Sequence, residues 1–149
     1  MEGPLKIRRL ESRDVERVLA IQSDAPELAQ WTRQDYQNVA NGINQGWIAE
    51  SAGRVVGFLV ARKLDDEIEV LNIATALEVR REGAGDALLK TALEWGRFAG
   101  ARRAFLEVRA SNLPARTFYE KQGFSPVGRR PKYYSAPVED AFIFALEFH

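Results

Sequence analysis

The chain has 149 residues, 46% of them apolar, and its 21 basic side chains balance 21 acidic ones, so it can bury one substantial core and has no global positive field to draw it to nucleic acid. With no cysteine and one histidine, the terminal His149, it excludes disulfide scaffolds, thiol nucleophiles, thiolate or multi-histidine metal sites and serine–histidine–aspartate hydrolysis. The absence of a long apolar run and of a secretory start predicts a single cytoplasmic domain over 1–149, with no membrane, metal or direct nucleic-acid partner, whose acid–base chemistry comes from Glu, Asp, Tyr, Lys or a terminal amine.

Residues 5–10 read as a first strand, and Ser12 as the cap of a helix with Val15, Val18, Leu19 and Ile21 largely on one face. That helix runs out near Asp24-Ala25-Pro26. A second helical stretch opens on Thr32 with Asp35 as a capping pair and carries Tyr36, Val39, Ala40 and Ile43. The period then changes. Residues 47–51 and 54–61 form two strands around Ala52-Gly53, Asp65-Asp66 marks the next turn, and residues 68–74 make a third strand of an antiparallel meander. From Gly83 the spacing is helical again, with Ala84, Ala87, Leu88, Thr91, Ala92, Trp95, Phe98 and Ala99 in one stripe and Gly100 as the C-terminal cap. Trp95 and Phe98 are assigned to the core. Residues 104–109 form a strand, parallel to the one before the helix, and Ser111 or Asn112 caps a short helix with Pro114 in its first turn. Two last strands, 124–130 and 138–148, complete a mixed sheet, the final one apolar on both faces.

One segment suggests a ligand. After the strand ending near Thr75, the chain reads Arg80-Arg81-Glu82-Gly83-Ala84-Gly85-Asp86 and opens a helix. Glycines there let the backbone approach closely, while unpaired N–H groups and the positive helix end suit a phosphate or pyrophosphate. Two arginines add charge-assisted contacts. The P-loop and dinucleotide motifs are both missing. Taken alone, such a segment is usually just a charged turn with glycines before a helix.

A second segment gives it meaning. Leu106-Glu107-Val108-Arg109-Ala110-Ser111-Asn112, then Phe118-Tyr119, Gly123-Phe124, Arg129-Arg130 and Tyr133-Tyr134, resembles the C-terminal half of the GNAT superfamily of N-acetyltransferases, closest to the ribosomal-protein-alanine (RimI-like) enzymes. Asn72-Ile73-Ala74, Arg80-x-x-Gly83-x-Gly85 and Glu139-Asp140-Ala141 fit the same family. The resemblance implies an α/β (α+β) GNAT fold: a mixed, mostly antiparallel sheet of about seven strands, a splayed central parallel pair and about four helices. It implies acetyl-CoA as cosubstrate, its pantetheine along Ile73, Ala74 and Thr75 as an added strand would lie. The pyrophosphate contacts then fall on Arg81, Glu82, Gly83, Ala84, Gly85 and Asp86, with Arg80 opening the motif and Asn112 as a further cofactor contact.

It also implies Glu107 as general base and Tyr119 as general acid. An α-amine has a pKa of about 8 and a thiol about 8.5, so a carboxylate raised by partial burial can relay the amine's proton through water, and a tyrosine near 10 stays protonated to donate. A backbone N–H at Ile73 or Thr75 is the candidate carbonyl polariser. On pattern alone Glu107 is a solvated or ion-paired strand residue and Tyr119 a core aromatic. The acceptor implied is a protein N-terminal alanine, a small-subunit ribosomal protein being the family's partner. Lysine or small-amine acetylation is the alternative within the enzyme class, and a non-catalytic CoA-sensing module the alternative outside it. Arg129, Arg130, Tyr133 and Tyr134, placed in the loop between the last two strands, and Gln30-Trp31 with Tyr36 are the candidate walls of the acceptor site. The first 46 residues match the family less well, so the acceptor is the least defined element.

Overall fold

A computed structural model of the protein describes residues 4–79, 83–135 and 137–149. Among them the chain forms strands β1 (Leu5–Arg9), β2 (Gln45–Ser51), β3 (Arg54–Leu64), β4 (Glu67–Thr75), β5 (Arg103–Arg109), β6 (Ser125–Ser135) and β7 (Val138–Glu147). Helices α1 (Val15–Ser23), α2 (Arg33–Ala40), α3 (Ala84–Phe98) and α4 (Leu113–Lys121) complete it. The strand order is β1-β2-β3-β4-β5-β7-β6. The pairs β1 with β2, β2 with β3, β5 with β7 and β6 with β7 are antiparallel, and β4 with β5 is parallel, as a strand–helix–strand crossover requires. Two compact units share the chain: one takes the residues up to Arg62 and Val70–Trp95, the other Lys63–Glu69 and Gly96–His149.

In the first unit the meander explains the apolar runs. Val55–Ala61 of β3 is buried throughout, as a strand covered on both faces must be. Between β1 and α1 the expected Ser12 cap is replaced by a turn of 3-10 helix, Ser12–Asp14, capped from Glu11. The buried Asp14 carboxylate accepts the Glu11 N–H at 2.8 Å and both Arg8 guanidinium nitrogens at 2.8 Å. Serine lost to this arrangement because Asp14 answers a backbone donor and a buried arginine together. On α2 the predicted pair holds: Thr32 N–H donates to Asp35 Oδ2 at 2.8 Å and Asp35 N–H to Thr32 Oγ1 at 3.1 Å. The helix stops at Ala40, and Ile43 lies beyond it, 59% exposed, rather than on its apolar face.

Gly57 of β3 is one of the places where the layers meet closely. A Cβ there would stand 3.1 Å from Ala74 O and from Leu88 Cδ1, and 3.2 Å from Thr75 Cγ2. Its hydrogen lets α3 settle onto β3 and β4. The buried face of α3 consists of Ala84, Leu88, Leu89 and Ala92, with Trp95 packing edge-on against Trp47 at 5.6 Å. Phe98 does not join it: it is the last residue of α3 and is 95% exposed. The stripe is right in period but turned toward Leu89, and it runs out before Phe98.

In the second unit β5 alternates cleanly, Ala104, Leu106 and Val108 buried on one face and Phe105, Glu107 and Arg109 half-buried on the other. Of the two predicted caps Asn112 is the one used: its Oδ1 accepts the Ala115 N–H at 3.2 Å, with Pro114 following in the first turn of α4. The last two strands differ from expectation. β6 runs on to Ser135, so Arg129, Arg130, Tyr133 and Tyr134 belong to a strand paired with β7 and not to a loop. Its register shifts between Arg130 and Tyr134, where Pro131 offers no N–H to the ladder. Asp140 of β7 bridges the irregularity, accepting from Arg129 Nε at 2.6 Å and from the Lys132 N–H at 2.8 Å.

Candidate active site

Of the predicted cofactor residues, Ile73, Ala74, Thr75, Gly83, Ala84, Gly85 and Asp86 fall in the first unit and Asn112 in the second. Ile73, Ala74 and Thr75 form the extended C-terminal end of β4. Such a stretch can take an extended ligand as an added strand. The chain then turns through Leu77–Val79, held by Arg17, whose Nε donates to Val55 O at 2.9 Å and whose Nη2 reaches Glu78 Oε1 at 3.1 Å. Arg80, Arg81 and Glu82 lie outside the described residues.

Gly83 follows with φ +91°, a conformation that L side chains rarely adopt, and its carbonyl accepts the Ala87 N–H at 3.0 Å to start the helix. Ala84 is buried beneath the first turn, Gly85 is half-buried and Asp86 is exposed. The N–H groups of that turn have no acceptor within the helix and lie at its positive end. A left-handed glycine feeding such a turn fits an anionic phosphate group.

Asn72, one residue before Ile73, is turned inward. Its Nδ2 donates to Tyr36 Oη at 3.0 Å and to Ala29 O at 3.3 Å. The Tyr36 hydroxyl in turn donates to Gln22 Oε1, and Gln22 exchanges hydrogen bonds with the Trp31 backbone, Nε2 to O at 2.9 Å and N–H to Oε1 at 3.1 Å. Tyr36 has no exposed surface, so it supports the segment from Ala29 to Trp31 from behind and does not itself wall an acceptor site. Burial above all pushes its phenol well above the ordinary tyrosine range.

The proposed base and acid both fall in the second unit. Glu107 projects from the half-buried face of β5, its side chain 18% exposed, with Arg130 Nε 3.6 Å from Oε2. That oxygen is buried and accepts no hydrogen bond from the described residues. Arg109, two residues on, is occupied elsewhere: its Nη1 meets Glu139 Oε1 at 3.0 Å, and its guanidinium lies 4.2 Å over the Tyr134 ring. Glu139 also accepts the Ser111 N–H and hydroxyl, both at 3.1 Å. Hydrogen bonds from Ser111, then from Arg109, hold the Glu139 carboxyl below its ordinary range. Burial, then the negative charge of Glu107, pushes the Tyr134 phenol up to about 12.

Tyr119 is buried on α4, its ring packed on Phe118 at 5.2 Å, Phe124 at 5.8 Å and Phe144 at 6.5 Å. Phe144 pairs with Leu106, so the Tyr119 ring packs on the face of β5 opposite the one that bears Glu107. Tyr134 links the two electrostatically. Burial first, then the proximity of Tyr134, pushes the Tyr119 phenol well above its ordinary value. It therefore stays protonated across the neutral range, as a proton donor must. Asn112 spends its Oδ1 on the α4 cap. Sequence reasoning missed the contact of Arg130 with Glu107 and the coupling of Tyr134. Only the Arg129-Arg130 and Tyr133-Tyr134 doublets marked that stretch, since a register shift decides which of their side chains faces Glu107.

Among the described residues no group of acidic, histidine or cysteine side chains is arranged to hold a metal, and no helix is long and apolar enough to cross a membrane. The sequence profile of the acetyltransferase (GNAT) family matches residues 7–124. A Bacillus subtilis protein provisionally named as a [ribosomal protein bS18]-alanine N-acetyltransferase is 30% identical over 96% of this chain and 95% of its own length. Among solved structures, the Escherichia coli ribosomal-protein-S18-alanine N-acetyltransferase superposes with a TM-score of 0.85 at 29% identity, covering 97% of this chain and 94% of that one. Ard1 from Thermoplasma volcanium gives 0.88 at 28% identity, covering 97% and 98%.

Proposed function

The chain belongs to the GNAT acetyltransferase family and is an acetyl-CoA-dependent N-acetyltransferase, and from that premise we propose that it acetylates the N-terminal α-amine of a protein beginning with alanine, a small-subunit ribosomal protein in the first instance. The observation that carries this reading is the near full-length match to a relative named for that reaction. It is a reaction of one domain spanning 1–149, carried out in the cytoplasm.

When bound, acetyl-CoA supplies a thioester carbonyl open to attack and a thiolate that can leave. The first-turn N–H groups of α3, at Ala84, Gly85 and Asp86, with Gly83 before them and Arg80, Arg81 and Glu82 preceding, hold its pyrophosphate. Ile73, Ala74 and Thr75 pair along its pantetheine, and an N–H of Ile73 or Thr75 polarises the carbonyl. Asn112 makes a further contact from the start of α4.

Glu107 takes a proton from the acceptor's ammonium, directly or through one water, freeing the nitrogen lone pair for attack. Its buried Oε2 accepts no hydrogen bond from the described residues, so the lone pair that takes the proton is not already bonded. Tyr119 gives its phenolic proton to the departing sulfur. A phenol, with an ordinary pKa of about 10, enters the step protonated at neutral pH. No covalent bond to the enzyme is formed.

The test is a competition among acceptors. Protein and acetyl-CoA are incubated with a peptide bearing a free alanine N-terminus, one with a blocked N-terminus and an internal lysine, and small amines, while thiol release is followed. The reading expects the free alanine peptide to react fastest, with acetyl located on its α-nitrogen by mass spectrometry. Faster transfer to lysine or to a small amine overturns the acceptor assignment, and cofactor binding without transfer to any acceptor points to the sensing module.

A further inference from the structure

The ladder between β5 and β7 ends at the pair of Arg109 with Ala141, yet β7 begins earlier, at Val138. Its overhang meets the turn that leads from β5 into α4. The Ala110 N–H donates to Asp140 O at 3.0 Å, and the Glu139 carboxylate takes the next residue twice, Oε2 accepting the Ser111 N–H and Oε1 the Ser111 hydroxyl, both at 3.1 Å. Oε1 also accepts from Arg109 Nη1 at 3.0 Å. That nitrogen donates to Pro137 O at 3.3 Å as well, the guanidinium lies 4.2 Å over the Tyr134 ring, and strand pairing sets Glu139 opposite Tyr134. The carboxylate is thus fixed on β7 before it grips the turn. Three donors converge on its two oxygens, which suits a group that only accepts; an amide would turn an NH2 against one of them. Packing does little for the turn itself, since Ser111, Leu113 and Pro114 are all exposed.

We propose that Glu139 is a positioning residue for acetyl-CoA, its grip on Ser111 aiming the side-chain amide of the adjoining Asn112 at the cofactor, an inference that rests on the reading of Asn112 as a cofactor contact. Asn112 follows Ser111 directly, so whatever holds Ser111 sets where the Asn112 side chain begins. The Asn112 N–H donates to Arg109 O at 3.0 Å, and Oδ1 accepts the Ala115 N–H at 3.2 Å as the α4 cap. Its side-chain donor toward a ligand is therefore Nδ2. A hydrogen bond weakens steeply once donor and acceptor are misaligned, so releasing Ser111 costs cofactor binding even while Asn112 keeps its amide.

The experiment measures CoA affinity by titration calorimetry for Glu139→Gln and Ser111→Ala, each in the parent and in Asn112→Ser, which keeps a capping oxygen but has no amide donor. Glu139→Gln is expected to weaken CoA binding by about fivefold, the scale of one hydrogen bond, and Ser111→Ala, which removes only the hydroxyl, by about twofold. In the Asn112→Ser background both effects should vanish, because no amide remains to be aimed. A CoA affinity equal to the parent's in Glu139→Gln overturns the proposal. So does a loss of the same size in the Asn112→Ser background, which would mean a general loosening of the turn. Should Glu139→Gln fail to fold, Ser111→Ala is read by the same two criteria. Either failure leaves the reading of Asn112 standing as long as Asn112→Ser itself binds CoA more weakly than the parent. If Asn112→Ser binds CoA like the parent, that reading falls and this inference with it.

Discussion

Asn72 and Glu107 each bring a polar side chain beneath the surface, one on β4 and one on β5, and their surroundings treat them in opposite ways. Asn72 is 4% exposed and donates to two acceptors, in a chain that continues through Tyr36 and Gln22 to the Trp31 backbone. Among the described residues Glu107 keeps a buried oxygen with no hydrogen bond and a cation at 3.6 Å. A satisfied buried network rigidifies its neighbourhood, whereas an orphaned acceptor is a standing cost. On the proposed function, the difference separates a residue that builds the fold from one held for chemistry. Substituting the first kind should cost stability, and substituting the second kind should cost rate.

The largest loss of stability is expected where a buried charge would be stranded. Arg8 and Asp14 are 15% and 3% exposed and doubly bonded, so Arg8→Met should cost about 3 kcal/mol in denaturant unfolding. The same pair sets an acid dependence. Burial opposes the Asp14 carboxylate, but hydrogen bonds from Arg8 and from the Glu11 N–H outweigh it and leave its pKa lowered. A lowered folded-state pKa means stability that is present above the unfolded value near 4 and lost as pH falls. The parent should weaken on acidification below that value, and Arg8→Met should show a flatter acid limb.

Asn72→Ala comes next, at about 2 kcal/mol, since it leaves the Ala29 carbonyl and one side of the Tyr36 hydroxyl unpaired. An unchanged unfolding midpoint would put Asn72 on the chemical side of the comparison. Tyr119→Phe should instead spare the midpoint, because the ring contacts remain, and lower kcat by about tenfold. If it lost stability and kept its rate, Tyr119 would be a core aromatic and no more. The smallest effect is at high pH. Burial, and then Glu107, raises Tyr134 to about 12, and a raised pKa means stability intact below the unfolded value near 10 and lost as pH climbs through the folded one. Tyrosinate absorbance and unfolding followed together should show a shallower alkaline decline for Tyr134→Phe.

How far the sequence foretold this depends on the scale of the signal. Local signals were read well: the Thr32–Asp35 cap, the turn at Ala52-Gly53, the Asn112 cap with Pro114, and Gly83 at the entry to α3 each depend on a few neighbouring residues. Failures came where a distant partner decides. Phe98 continues the helical period, but the period does not say where the covering layer ends. Pro131 and Lys132 read as a loop because the pairing that carries β6 across them comes from β7, through Asp140. Ser12 has a good capping side chain and is displaced because Arg8 recruits Asp14. In the candidate site the motifs single out Glu107, Tyr119 and the Gly83 turn, and of these the structure shows Gly83 with a positive φ at the entry to α3. The Arg130 contact was not, since it follows from a register shift that no short pattern encodes.

The most direct test of the central claim is to measure turnover and unfolding midpoint together for Glu107→Gln, with acetyl-CoA and a peptide bearing a free alanine N-terminus. The account predicts a kcat lower by about a hundredfold, within the range of general-base catalysis, and a midpoint equal to or above the parent's, because the neutral amide relieves a buried charge. A variant that turns over like the parent, or one whose rate falls only because it unfolds, would contradict it.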